Sequence, residues 1–495
     1  MCGIAGVLHQ PANGNVKSMV EKLAHRGPDG HGVKDLKHAS LGHTRLAILD
    51  IEGGHQPMQH EETWIAFNGE IYNYRELQKE YLSNEKLKTH SDTEVILHLY
   101  RKFGPEFVRL LDGMFAFAIY QNGEYLLARD PLGIKPLYTG TQNGRMYFAS
   151  EVKALKDKVE SVKEFPAGHW FHSKSGWRRF YQVEKTIRPF EGSEGEAVTL
   201  IKSTLRQAVH KRLLADVPVG ISLSGGLDSS IVSALACENT EQLHSFSVGV
   251  EGSEDLAASR MMSEFLHTQH HELVYTAQDM VDALPDVLYY LETFDPALVR
   301  SAIPNYFLAK LASEHVKVFL TGEGADEIFA GYDYLSDFDD AEALQDEMIE
   351  ITEALHNTNL QRADRMSMAF SLEARVPFLD VKSVSTALSL PPAWKLHNGR
   401  APKHLLRQAF ADDLPDEIVN RPKQKFSKGA GSSDLIVQLA DENISDDEFL
   451  AESQRLQSEW DYTLPNKEAL YYYKIQREFY DDQWIFPNMG HSRSL

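Results

Sequence analysis

The spacing of apolar residues changes once along this chain, near residue 190, and no other feature constrains the fold as much. Before the change, short apolar runs recur: Cys2-Gly-Ile-Ala-Gly-Val-Leu8, Trp64-Ile-Ala-Phe67, Met114-Phe-Ala-Phe-Ala-Ile-Tyr120, Tyr125-Leu-Leu-Ala128 and Met146-Tyr-Phe-Ala149. Asn68-Gly69, Asn122-Gly123 and Asn143-Gly144 lie among them, pairs that suit tight hairpin turns. Helical stretches at 74–82 and 93–103 intervene, the second with Val95, Ile96, Leu99 and Tyr100 on one face. A mixed α and antiparallel β domain is expected over residues 1–190.

The segment Arg188-Pro-Phe-Glu-Gly-Ser-Glu-Gly-Glu196 reads as a linker. Beyond it strand and helix alternate: a helix to about Leu214, strands at 219–223, 243–250 and 272–275, helices from Ser229 and near 256–266, then a strand at 316–320 and a helix from Asp326. That rhythm predicts an α/β domain over 191–495, a parallel sheet covered by helices with its sites where strands end, and mostly helix after Leu335. Among 495 residues, 72 are acidic and 50 basic, a net charge of −22 that repels phosphate backbones and anionic membranes, so small substrates are favoured over nucleic acid. Two cysteines, Cys2 and Cys237, cannot build a disulfide framework, and neither a secretory signal nor a run of about 18 apolar residues is present. A cytoplasmic protein is expected.

Cys2 follows the initiator Met1. Removal of Met1 would give one residue both a thiol and a free α-amine, whose pKa of about 7.7–8.0 suits it to accept the thiol proton. Alone, a cysteine at residue 2 is weak evidence. It is followed in order by His25-Arg-Gly-Pro-Asp-Gly30, His43-Thr-Arg-Leu-Ala-Ile48, Phe67-Asn-Gly-Glu-Ile-Tyr72 and Ser91-Asp-Thr-Glu94. The set resembles the N-terminal-nucleophile glutamine amidotransferases over residues 2–180. The resemblance implies two stacked antiparallel sheets between helical layers, an αββα sandwich. It also implies that Cys2 attacks the glutamine amide, that Asn68 and the N–H of Gly69 receive the oxyanion, and that Arg45, Glu70 and Asp92 hold the head group, completed by backbone near Ile48 and Leu49. The residue types suit this chemistry, since an oxyanion needs aimed donors and a free amino acid needs a cation and an anion.

Between the strand at 219–223 and the next helix lies Leu223-Ser-Gly-Gly-Leu-Asp-Ser-Ser230, a loop able to wrap N–H groups and hydroxyls around a phosphate at a helix N-terminus. It lacks the Gly-Lys-Ser/Thr of a P-loop and resembles the pyrophosphate loop of ATP pyrophosphatases, which implies adenylation. Thr321-Gly-Glu-Gly-Ala-Asp-Glu327 follows another strand, so Asp228 and Asp326 would meet at neighbouring sheet edges as oxygen ligands for Mg²⁺. With Ser371-Leu-Glu-Ala-Arg-Val-Pro-Phe-Leu-Asp380 and Lys423-Gln-Lys-Phe-Ser427, the whole resembles the glutamine-hydrolysing asparagine synthetases. In that family aspartate is activated with ATP as β-aspartyl-AMP, and ammonia from glutamine crosses an internal tunnel to it. The likeness carries ATP contacts to Leu223, Ser224, Gly225, Gly226, Leu227, Asp228, Ser229, Ser230, Val248, Thr321 and Gly322. It gives Glu323 a part in forming or aminating the intermediate, and Lys423 and Arg300 electrostatic work. A homodimer is a family-based expectation.

Three departures stand out. Asp295-Pro-Ala-Leu-Val299 precedes Arg300 where bacterial members carry a Thr pair, Ala325 replaces a common Ser, and the chain stops soon after Tyr473-Lys-Ile-Gln-Arg-Glu-Phe479, which predicts a reduced C-terminal lid. His267-Thr-Gln-His-His271 has metal-like spacing but no Cys or carboxylate cluster beside it, and reads as a surface loop entering a strand. Cys237 reads as an inert buried thiol. Two other functions stay open: the same chemistry on a different carboxylate acceptor, and a non-catalytic glutamine or nucleotide sensor, against which Cys2, Asp228, Asp326 and Lys423 together count.

Overall fold

The structure is a computed structural model and describes residues 1–9, 15–240, 242–396, 401–422 and 433–490. Two six-stranded antiparallel sheets lie face to face in the first part of the chain. One runs, in spatial order, Val162–Glu164, Tyr138–Gln142, Arg145–Ala149, β1 (Gly3–Leu8), Ala39–Arg45 and Gly30–Asp35. The other runs Gly176–Arg179, His169–His172, Glu124–Arg129, Gly113–Gln121, β2 (Thr63–Ile71) and Met58–His60. Strand alternation assigns each face. In β1, Ile4 and Leu8 pack between the sheets with Ala66, Ala116 and Ala118, while Ala5 and Val7 pack against the helix Asn15–Lys22. In the second sheet Phe67, Phe115, Phe117 and Ile119 point away from the first, toward α1 (Asp92–Phe103). Small residues face the other sheet and large ones face the helix, which yields the expected αββα sandwich.

A third, parallel sheet follows, in the order β5 (Gln269–Val274), β4 (His244–Gly249), β3 (Val219–Ser222), β6 (Val318–Leu320) and β7 (Glu373–Arg375). Ile221 and Leu320 pack on one face with α2 (Leu227–Cys237), and Phe246, Val248 and Phe319 on the other with α3 (Pro296–Ser313). The expected α/β domain is therefore present. Two expected elements differ in extent: the helix from Asp326 is one turn, Ala325–Ile328, and the strand at 272–275 is β5, beginning at Gln269. β7 lies inside the Ser371–Asp380 motif and was not expected as a strand. The end of the expected linker is already helical, because Ser193 caps the helix Glu194–Lys211 in a reciprocal box with Glu196. Among the described residues no helix is long and apolar enough to cross a membrane.

The sandwich meets the parallel-sheet region through buried charge. Arg26 Nη1 bonds Glu151 Oε1 at 2.5 Å and Asp364 Oδ2 at 2.8 Å, the latter on α4 (Asn359–Met368). Lys153 pairs with Glu151 and with Glu292 at 3.0 Å, and Arg365 Nη2 with Glu292 at 3.1 Å. Burying one of these ions unpaired would cost several kcal/mol, roughly 3–5, so the network fixes how the two regions seat.

Candidate active sites

The first site lies at the N-terminal end of β1, where the sheets part. A cavity of about 30 Å³ is lined by Met1, Cys2, Arg45, Ile48, Leu49, Gly69, Glu70 and Asp92. Met1, 1% exposed, forms part of its wall. Its amine lies 3.3 Å from Glu373 Oε2 on β7. With Met1 in place the Cys2 nitrogen is a peptide amide and cannot act as a base. It donates to Asn68 Oδ1 at 3.1 Å, which turns Asn68 Nδ2 the other way, buried and with no acceptor among the described residues. Gly69 is required beside it, because a Cβ there would sit 2.1 Å from the carbonyl oxygen of Met114 on the neighbouring strand.

The polar residues around the thiol are held in place. Arg45 donates to the carbonyls of Ile51 (2.8 Å) and Asp50 (2.6 Å). Ser91 caps α1 by accepting from Thr93 N, which sets Asp92 in the first helical turn with Oδ2 accepting from Ile71 N at 2.9 Å. Burial pushes the Asp92 carboxyl up to about 6 and raises the Cys2 thiol. Glu70 is also pushed up, by burial and by Glu373, with Arg375 opposing. Of the eight residues expected to serve glutamine, seven, Cys2, Arg45, Ile48, Leu49, Gly69, Glu70 and Asp92, line this one cavity, and Asn68 lies beside it, bonded to the Cys2 nitrogen.

The second site opens at the C-terminal ends of β3 and β6, a cavity of about 260 Å³. Ser224, Gly226, Leu227, Asp228, Ser229, Thr321, Gly322, Glu323, Asp326 and Arg300 line it. Leu223, Gly225, Ser230 and Val248 are buried behind that wall, so any nucleotide contact from Leu223 or Val248 comes through the backbone. The Ser224 and Ser229 hydroxyls lie 3.1 Å apart and Gly226 N donates to Ser224 Oγ, which shapes the loop ahead of α2. Gly322 lets the two loops touch, since a Cβ there would meet Asp228 Cβ at 2.8 Å.

Arg300 lines the cavity with its charge matched: Nε bonds Glu468 Oε1 at 2.7 Å, from the C-terminal helix Lys467–Gln476. Where the Thr pair was missing, Ala297 and Leu298 form an apolar wall, and the nearby hydroxyl is Ser301, which accepts from Arg362 at 2.9 Å. Lys423 lies outside the described residues. Cys237 is partly buried, and burial lifts its thiol to about 11.

The motifs gave no hint of Lys403. Its Nζ lies 2.5 Å from Asp228 Oδ2 and 2.6 Å from Asp326 Oδ1, so one ammonium bridges both carboxylates. Burial works to lower the Lys403 pKa, and the two aspartates outweigh it and raise it. Arg362 was missed too. It pairs with Glu323 from α4, two and three residues before Asp364 and Arg365, which reach the charge network, and Arg26 of that network donates to the Cys2 carbonyl at 3.0 Å.

Two families match the chain one after the other. The glutamine amidotransferase domain family matches residues 1–179, and the asparagine synthase family matches 200–341 and 336–485. A probable glutamine-hydrolysing asparagine synthetase of Schizosaccharomyces pombe is 38% identical over 98% of this chain and 94% of its own length. The glutamine-hydrolysing asparagine synthetase 3 of Arabidopsis thaliana is 39% identical over 97% and 88%. Asparagine synthetase B of Escherichia coli is 38% identical over 99% and 92%. With two sites whose residue types match both half-reactions and relatives alike over nearly the whole chain, the protein belongs to the glutamine-hydrolysing asparagine synthetases.

Proposed function

We propose that the two cavities divide the family reaction between them, residues 1–190 releasing ammonia from glutamine and residues 191–495 spending ATP to fix it on aspartate. Once Met1 is removed, the Cys2 α-amine accepts the thiol proton and Sγ attacks the side-chain amide of glutamine. The developing oxyanion is met by Asn68 Nδ2 and Gly69 N–H, while Arg45 takes the substrate carboxylate and Asp92, with Glu70, its ammonium. Ammonia leaves, and water hydrolyses the thioester to glutamate. The observation that carries this half is the buried Asn68 Nδ2 beside Cys2 with no acceptor of its own among the described residues.

In the second cavity the loop 224–230 and Thr321–Gly322 hold the nucleotide, the aspartate side chain attacks the α-phosphorus, and pyrophosphate departs. Ammonia then displaces AMP, with Glu323, oriented by Arg362, placed to take a proton from the attacking nitrogen. Arg300 and Lys423 act on the carboxylate and the pyrophosphate. Asp228 and Asp326 fit Mg²⁺: both are hard oxygen donors close enough to grip one cation, as the Lys403 ammonium already demonstrates. When bound, Mg²⁺ neutralises the phosphate charge. A reducing, cytoplasmic setting suits a chain whose Cys2 must stay a thiol, and a homodimer is the assembly proposed from the family likeness.

The test uses [¹⁵N-amide]glutamine, aspartate, ATP and Mg²⁺, with products read by mass spectrometry. ¹⁵N-asparagine, glutamate, AMP and pyrophosphate in equal amounts are expected. Glutamate without asparagine or AMP would direct the second site to another carboxylate, and Asp228→Asn should stop pyrophosphate release with either nitrogen source.

A further inference from the structure

At the opposite end of the parallel sheet from the nucleotide cavity, three histidines from three elements converge. His244 opens β4, His271 lies in β5, and His315 follows α3 in the turn that leads to β6. One ring nitrogen of each lies within 4.8 Å of the other two. His244 Nδ1 and His271 Nε2 are 2.9 Å apart, and the His271 and His315 rings stack with centroids 3.8 Å apart. Phe246, fully buried, stacks against all three rings and forms a floor. His244 and His271 are half-buried and His315 is exposed, which leaves the cluster open to solvent on one side.

We propose that His244, His271 and His315 form a binding site for a divalent transition metal of the Zn²⁺ class, with the fourth position left to solvent. The donor set decides the class. Three neutral imidazoles and no carboxylate favour zinc and its neighbours over Mg²⁺ or Ca²⁺, which take oxygen. Zn–N bonds of about 2.0–2.1 Å in a tetrahedron put nitrogens about 3.4 Å apart, so the spacing is near that required, and binding would replace the His244–His271 hydrogen bond and turn the stacked rings until their in-plane lone pairs meet at the metal. The segment His267–His271 does enter a strand, as expected, and offers no third or fourth ligand nearby in the sequence. β4 and the end of α3 supply partners 27 and 44 residues from His271.

Bound metal would tie β4, β5 and the α3–β6 turn together at the sheet edge remote from chemistry. It makes no contact with the substrates. The site is separate from Asp228 and Asp326, which lie beyond the C-terminal ends of the neighbouring strands β3 and β6.

The experiment takes full-length, chelator-stripped protein and titrates Zn²⁺ in competition with a chromophoric chelator, with Co²⁺ spectra as a second readout. One equivalent of Zn²⁺ per chain is expected, with visible Co²⁺ bands of imidazole coordination. Affinity should fall at least about tenfold in both His315→Asn and His271→Asn. Because His315 is exposed and outside both active sites, His315→Asn should keep asparagine synthesis, which verifies its folding. His98→Asn tests the other histidine pair, His60 and His98, whose rings stack at 4.0 Å. Binding unchanged in His315→Asn and His271→Asn, binding lost only in His98→Asn, or no binding at 0.1 mM Zn²⁺ would each overturn the proposal.

Discussion

Asp92 shows how one residue can cost stability and serve binding. Its ordinary pKa lies near 4, and burial raises it to about 6 in the folded chain. Between those values the folded state keeps a proton that the unfolded state releases, so this group's contribution to stability falls as pH rises through that window and is fully unfavourable above pH 6. Asp92→Asn is therefore expected to stabilise the protein by up to about 3 kcal/mol at pH 7 and by little at pH 4, read by denaturant unfolding. The same change should lower kcat/KM for glutamine about 10–100-fold, the worth of a charged hydrogen bond to the substrate ammonium. In the unaltered enzyme kcat/KM should drop as pH falls through about 6, and that break should vanish in Asp92→Asn. Lys403 poses the converse problem. Lys403→Met removes the ammonium that bridges Asp228 and Asp326, and is expected to lower the melting midpoint in EDTA, with Mg²⁺ restoring most of the loss. A melting curve indifferent to Mg²⁺ would remove those aspartates from the metal site.

At the scale of elements, α4 joins the two sites. Arg362 near its start orients Glu323, and two residues on Asp364 pairs with Arg26, which holds the Cys2 carbonyl. Asp364→Asn keeps the shape and removes the charge. It should uncouple the halves, so that glutamate is released in excess of asparagine, instead of one for one, and an unchanged ratio would deny α4 this role. The limits of sequence reading lie in such elements. β1, β2 and the strand Gly113–Gln121 were legible because their residues are apolar on both faces, and β3, α2 and β4 because strand, loop and helix follow in order. Ala39–Arg45 was not, since its buried Ser40, His43 and Thr44 break the apolar pattern and only pairing on both edges makes it a strand. The site was legible where motifs are local, as in 224–230 and 321–327. Lys403 and Arg362 escaped notice because the carboxylates they pair with lie 39 to 175 residues away, and Arg26, though inside the His25–Gly30 motif, was given no role because Asp364 lies 338 residues away; only tertiary contact reveals these pairs.

For the whole molecule, the arrangement explains why one chain carries both activities. The sandwich and the parallel sheet share a buried ionic interface, and Glu373 on the parallel sheet closes over the N-terminus that carries the nucleophile. Met1 lines the pocket and ties up the nitrogen the mechanism needs as a base, so processing must precede glutamine use. Intact-mass analysis of active protein should show a chain beginning at Cys2. The second cavity does not depend on that step.

In the proposed mechanism Cys2 releases ammonia from glutamine for a distant site that also uses free ammonia. The most direct measurement is asparagine formation by Cys2→Ala, once with glutamine and once with ammonium chloride, each with aspartate, ATP and Mg²⁺. The account predicts asparagine, AMP and pyrophosphate from ammonium and none from glutamine. Asparagine from glutamine in that variant would contradict it, as would loss of synthesis from both nitrogen sources in a correctly folded protein.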